Sequence, residues 1–173
     1  MDERQFNEIF AIMKSSFPDS EMRTYAGQQA LLSNPYYHLI TQMDDNENII
    51  AFLAAWEFPL FRFVEHIAVN PTIRGGGIGG KLVNAYIGES QKPVLLEVEP
   101  PVIELAQRRV GFYERLGFHL NFFEYVQPPL QEGQEDLSLN IMSYPQALTE
   151  SEFGLYKGTL YTEVYQVPER NRL

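Results

Sequence analysis

The densest chemistry in the sequence lies at Arg74–Gly80, where an arginine is followed by Gly75, Gly76, Gly77, Ile78, Gly79 and Gly80 and the chain runs on into an apolar-periodic stretch. Side chains are missing where a backbone would have to approach an anion closely. A helix starting there would present unpaired N–H groups and the positive end of its dipole. These residue types point to a phosphate-bearing ligand held by backbone, with Arg74 adding positive charge. Groups able to move protons stand on either side: Glu65 and His66 lead into the loop, and Glu97 and Tyr113 follow it. There is no cysteine, so a thiolate nucleophile, a thiolate metal site and a disulfide are all excluded.

Positioning these groups requires an ordered framework, and the hydrophobic pattern supplies one. Phe6, Ile9, Phe10 and Met13 recur at helical spacing over 3–16. A second helix is expected over about 21–33, capped by Asp19 or Ser20 and stopped by Asn34-Pro35. Strands are expected at 36–43, 49–58 and 61–69, the middle one nearly all apolar, as a strand buried on both faces would be. Their short connections imply an antiparallel meander. Helix 77–89 then leads to a buried strand at 93–98, which should lie parallel to the strand before the helix. A helix at about 102–116 with Gly117 just past its end, strands at 118–126 and 137–142, and a terminal helix at about 151–166 complete the order.

The 173 residues therefore read as one α/β domain, with a core to about 144 and a helical extension over about 145–173. A formal net charge of −10 argues against a nucleic-acid binder, which would need a basic face to neutralise phosphates. Net charge speaks first to solubility, and only faintly to a cationic partner. No apolar run of about 18 residues is present, so no membrane span or partner is expected. The acidic start, Met1-Asp2-Glu3-Arg4, lacks a signal core, which leaves the cytoplasm as the default compartment.

Two ligand readings fit the glycines. Gly75-x-Gly77-x-x-Gly80 satisfies the dinucleotide fingerprint, and Glu97 falls where that fold places its ribose acid. Against it stand the five residues between strand and first glycine, the hairpin-linked strands before it, and the single parallel unit after it. The same residues also read Arg74-x-x-Gly77-x-Gly79. With Val69-Asn70-Pro71 before them and Phe112-Tyr113-Glu114-Arg115-Leu116-Gly117-Phe118 downstream, the chain resembles the GCN5-related N-acetyltransferase (GNAT) superfamily to about Met142. That resemblance implies the acyl-CoA N-acyltransferase fold: a mixed, mostly antiparallel sheet flanked by helices, with a parallel pair formed by the family's fourth and fifth strands.

The resemblance also implies roles. Gly75, Gly76, Gly77, Ile78, Gly79 and Gly80, with Arg74, would hold the pyrophosphate of acetyl-CoA, the cosubstrate. The backbone of Ile67, Ala68 and Val69 would hold its pantetheine arm and acetyl carbonyl. Tyr113 matches the family's general acid. Glu65, and next to it Glu97, stand where members carry the base for the amine proton. His66 should pack on the opposite face. Where many members carry an asparagine seven residues before the tyrosine, this chain has Ala106, followed by Gln107, Arg108 and Arg109. The implied activity is N-acetyl transfer to a primary amine of a small molecule or peptide, without a metal. A non-catalytic acyl-CoA-binding module on the same fold is the alternative. Tyr36, Tyr37, His38, Trp56, Phe58 and Phe61 form either an acceptor pocket or ordinary core. The aromatic terminal stretch either closes the acceptor side or makes a homodimer contact.

Overall fold

In the computed structural model, residues 1–73 and 75–167 are described, so Arg74 and the last six residues lie outside the account. The chain forms two compact units, Met1–Lys92 and Pro93–Leu173.

In the first unit, helix α1 (Glu3–Ser16) opens on a capping box between Asp2 and Gln5 and buries Phe6, Ile9, Ile12 and Met13. Strands β1 (Tyr37–Met43), β2 (Ile49–Glu57) and β3 (Arg62–Val69) pair antiparallel in sequence order, the meander expected from their short connections. Asp44 makes the first turn tight: its carboxylate accepts from the backbone N–H of Asn46 and Asn48, both at 2.9 Å. Strand β2 is buried on both faces, with Ala51 through Trp56 at 0% exposure, because α1 and α3 (Ile78–Gly88) both touch it.

The expected second helix is shorter than its pattern suggests. A 3-10 turn at Asp19–Glu21 precedes helix α2 (Tyr25–Ala30), and a second 3-10 turn takes Leu31–Ser33. The cap is Thr24, whose hydroxyl accepts from Gly27 N–H, and not Asp19 or Ser20. The reason is Arg23, which leaves the local helix pattern to reach β3.

Arg62 holds the far end of α3. Its guanidinium is buried, donates to the carbonyls of Tyr86 (2.7 Å), Ile87 (3.2 Å), Ser90 (3.1 Å) and Lys92 (2.8 Å), and lies 4.9 Å from the Tyr86 ring centroid. Carbonyls at a helix end have no partner within the helix, so one buried cation meets a need that is otherwise left to water.

In the second unit, β4 (Val94–Val98) pairs antiparallel with β7 (Leu137–Tyr144), and β5 (His119–Leu120) and β6 (Tyr125–Gln127) also pair antiparallel with β7. The single strand expected at 118–126 is thus two short ones. Between them the side chain of Asn121 turns inward: it donates to Ile141 O (3.0 Å) and Ser143 Oγ (3.0 Å) and accepts from Leu148 N–H (2.8 Å). The backbone N–H of Asn121 keeps its ladder bond to Ile141 O at 3.0 Å while its side chain ties the strand end to β7 and to Leu148, and Phe122 beside it is 84% exposed. Helix α4 (Glu104–Arg115) ends at Gly117, φ +98°, as its place after the helix predicts. Helix α5 (Glu150–Thr159) starts on a Thr149–Glu152 capping box and runs into a π-helical turn, Leu160–Val164. The mixed α/β, mostly antiparallel class expected from the sequence is the one these strands and helices form.

Candidate active site

The glycine loop sits where the pattern places it. A 3-10 turn at Pro71–Ile73 follows β3, and α3 begins at Ile78. Gly75 (φ +108°) and Gly77 (φ +69°) occupy left-handed backbone, and a Cβ added to either would meet no atom within 4 Å. Glycine at both positions is therefore required by backbone conformation and not by crowding within the chain. Gly77 is also the N-cap of α3 and brings no side chain to its first-turn N–H groups. Open space over uncapped N–H groups fits a phosphate ester such as the pyrophosphate of acetyl-CoA. Arg74, expected to add charge here, lies outside the described residues.

Strand β3 carries the other first-unit candidates. Glu65, Ile67 and Val69 are half-buried on one face, while His66 and Ala68 are buried on the other. Opposite β2, Ala54 pairs with His66 and Ala55 with Val64, so Glu65 is the extra residue of a β-bulge. Its carboxylate meets Arg23 Nη1 at 2.8 Å and accepts from Trp56 Nε1 at 2.8 Å. The Glu65 and Arg23 side chains are 3% and 10% exposed. Burial alone would push the Glu65 carboxyl up, but the Arg23 guanidinium and these hydrogen bonds hold it below the usual carboxylate range. His66 packs as expected. Its Nε2 donates to Glu21 O at 2.7 Å, its ring meets Phe17 edge-on at 4.8 Å, and burial pushes its pKa down.

The aromatic residues of β1–β3 are core. Tyr37, Trp56, Phe58 and Phe61 are buried, with ring centroids 5.2 Å apart for Tyr37–Trp56 and for Phe58–Phe61. His38 is instead exposed, 3.1 Å from Glu57.

The second unit supplies the remaining groups. Tyr113 on α4 packs edge-on against Phe112 (5.0 Å) and Phe118 (5.7 Å), and burial pushes its hydroxyl up to about 12, against a smaller downward pull from Arg109. A phenol that keeps its proton at neutral pH is suited to donate it. Glu97 on β4 accepts hydrogen bonds from Tyr125 and from Tyr165, the latter at 2.6 and 2.8 Å to its two oxygens. Tyr125 is correspondingly raised, by burial first and by Glu97 second. Tyr165, just past the π-helical turn, reads in the sequence only as part of the apolar side of the terminal helix. It lies 68 residues from Glu97, and only the excess of tyrosines in the extension hinted at it. Ala106 is buried, and the arginines after it face outward: Arg108 pairs with Glu104, and Arg109 lies 3.7 Å from Glu99.

Antiparallel pairing of β1, β2 and β3 is incompatible with a doubly wound dinucleotide sheet in that unit. The fold is instead that of the acyl-CoA N-acyltransferases. Residues 4–118 match the model of the acetyltransferase (GNAT) family, and the chain belongs to that family. It is 38% identical over 106 residues to "Putative acetyltransferase YjbC" of Bacillus subtilis (strain 168), covering 59% of this chain. The chain spans about half the length, 52%, of that curated relative. A solved GNAT-family structure from Bacteroides thetaiotaomicron, described in the same terms, superposes with a TM-score of 0.87 at 32% identity, over 95% of this chain and 94% of its own. An aminoglycoside 6′-N-acetyltransferase complexed with coenzyme A shares the fold, at a TM-score of 0.62 and 14% identity over 86% of this chain and 95% of its own.

Proposed function

We propose that the protein is an acyltransferase that moves the acetyl group of acetyl-CoA to a primary amine of a small molecule or peptide by direct attack. The observation that supports this most is the glycine loop, open at Gly75 and Gly77 and uncapped at α3, in a chain of this family. In this reading N–H groups from Gly75 to Gly80 hold the pyrophosphate. Backbone of Ile67, Ala68 and Val69 aligns the thioester and steadies the oxyanion formed on attack. The amine nitrogen bonds to the carbonyl carbon, the C–S bond breaks, and Tyr113 gives its proton to the departing sulfur. The proton lost by the amine passes to a carboxylate. Glu97, reached through the Tyr165 hydroxyl, is better suited than Glu65, whose charge Arg23 already satisfies. Tyr113 then regains a proton from solvent, and the carboxylate releases the one it took.

Thiol release from acetyl-CoA over a panel of primary amines tests the reading. Transfer that Tyr113→Phe lowers by about 100-fold or more, with coenzyme A binding intact, supports it. Tight acetyl-CoA binding without turnover across the panel would make the protein a binding module instead.

A further inference from the structure

A groove of about 530 Å³ opens between the β6–β7 region and the end of the extension. Apart from Tyr165, its walls are built from features that the reaction scheme above leaves unused. Tyr161 lies on the π-helical turn, a feature often found where a helix serves a site, and its hydroxyl reaches Val126 O. Tyr165 lines the same groove while donating to Glu97. Pro128 and Pro129 add apolar surface. Glu124 and Asp136 also line it, both exposed, and neither has an ion-pair partner among the described residues. Burial raises the Tyr161 phenol, and Glu97 and then Asp136 add smaller upward pushes. The chain already puts one ammonium here: Lys157 Nζ sits 5.4 Å from the Tyr161 ring centroid.

We infer that this groove is the acceptor subsite, and that it takes a primary alkyl or arylalkyl amine in its cationic form. The apolar body of the amine rests on Tyr161 and the two prolines, and Asp136 and Glu124 attract its ammonium. Among the described residues two carboxylates face one lysine, a negative balance by which a cation gains where a neutral molecule of equal shape does not. Tyr165 connects the groove wall to Glu97, the base named above, which takes the first proton of the ammonium so that the neutral amine attacks; the second, lost after attack, passes to solvent. The inference rests on the acyltransferase reading for the word acceptor, but not for the binding itself.

Calorimetry of the full chain without acetyl-CoA, using phenethylamine and its neutral counterpart 2-phenylethanol, tests the binding directly. The amine should bind at least about 10-fold more tightly than the alcohol, and the paired change Asp136→Asn with Glu124→Gln should remove that difference. Both residues are exposed, so the melting temperature should be unchanged, and acetyl-CoA affinity should be unchanged too. Equal binding of amine and alcohol, no binding of either, or discrimination that survives the paired change would each overturn the inference. Thiol release separates the two ideas. Turnover without cation discrimination removes the groove and leaves the enzyme. Discrimination without turnover on any amine removes the enzyme and leaves the groove.

Discussion

Arg23 and Glu65 form a nearly buried ion pair at 2.8 Å between residues 42 positions apart, joining the segment before α2 to the bulge of β3. A carboxylate taken out of water this completely is tolerable only with its counter-charge and with Trp56 Nε1 as a further donor. The pair therefore does two things: it anchors the 19–33 segment and it holds Glu65 ionised.

Arg23→Met should accordingly destabilise the protein by about 3–5 kcal/mol at neutral pH, because it strands a buried charge. Adding Glu65→Gln should restore part of that loss. The pH dependence should change sign as well. In the wild type Glu65 titrates below its ordinary 4.5, so its contribution is present above that value and lost as pH falls through the lowered one. Without Arg23, burial raises the carboxyl and the variant should gain relative stability as pH falls from neutral. Urea unfolding between pH 4 and 8, on the order of five points, checks both statements.

His66 adds to the acid response. Its Nε2–H is committed to Glu21 O, its buried Nδ1 has no partner among the described residues, and its pKa lies below 6.5. The neutral ring contributes stability above its ordinary pKa that is lost as pH falls through the lowered one. His66→Gln should flatten the stability profile just below pH 6.5, and ring-carbon NMR shifts in the wild type should show no protonation midpoint at the ordinary value.

Removing the Arg62 guanidinium leaves four carbonyl partners and the end of α3 unmet. Arg62→Leu should cost about 3–5 kcal/mol by denaturant unfolding. Arg62→Lys should recover only part of it, because one ammonium cannot span the same fork of acceptors.

Gly117→Ala should destabilise by about 2 kcal/mol or more, as it combines a left-handed backbone with a Cβ placed 2.9 Å from the Tyr144 ring. Gly77→Ala differs instructively. It meets the same kind of backbone strain in open space, so stability should fall by only about 1 kcal/mol. Coenzyme A affinity, measured by calorimetry, should fall at least about 10-fold if the loop holds its pyrophosphate.

Much of this was legible along the chain because it is local. The glycines before α3, the nearly all-apolar β2, the apolar face of α1 and Gly117 after α4 each follow from residues within one or two turns of each other. Backbone dihedrals, caps and hydrophobic period act over that range. Where the sequence reading erred, at the 21–33 helix and at the 118–126 strand, a single polar side chain overrode the local pattern. Arg23 stands outside the helix, bound to Glu65, and the Asn121 side chain binds Ile141, Ser143 and Leu148 where the expected strand is interrupted.

By itself the sequence determined the class of this protein: a glycine loop leading into a helix, a tyrosine motif after it, and an antiparallel meander that ruled against a dinucleotide sheet. Only the tertiary structure decided which carboxylate is satisfied and which is connected to a groove. That distinction rests on partners 42 and 68 residues away, Arg23 for Glu65 and Tyr165 for Glu97. The charge state of a buried carboxylate is set by what packs against it, and spacing along the chain carries no record of that.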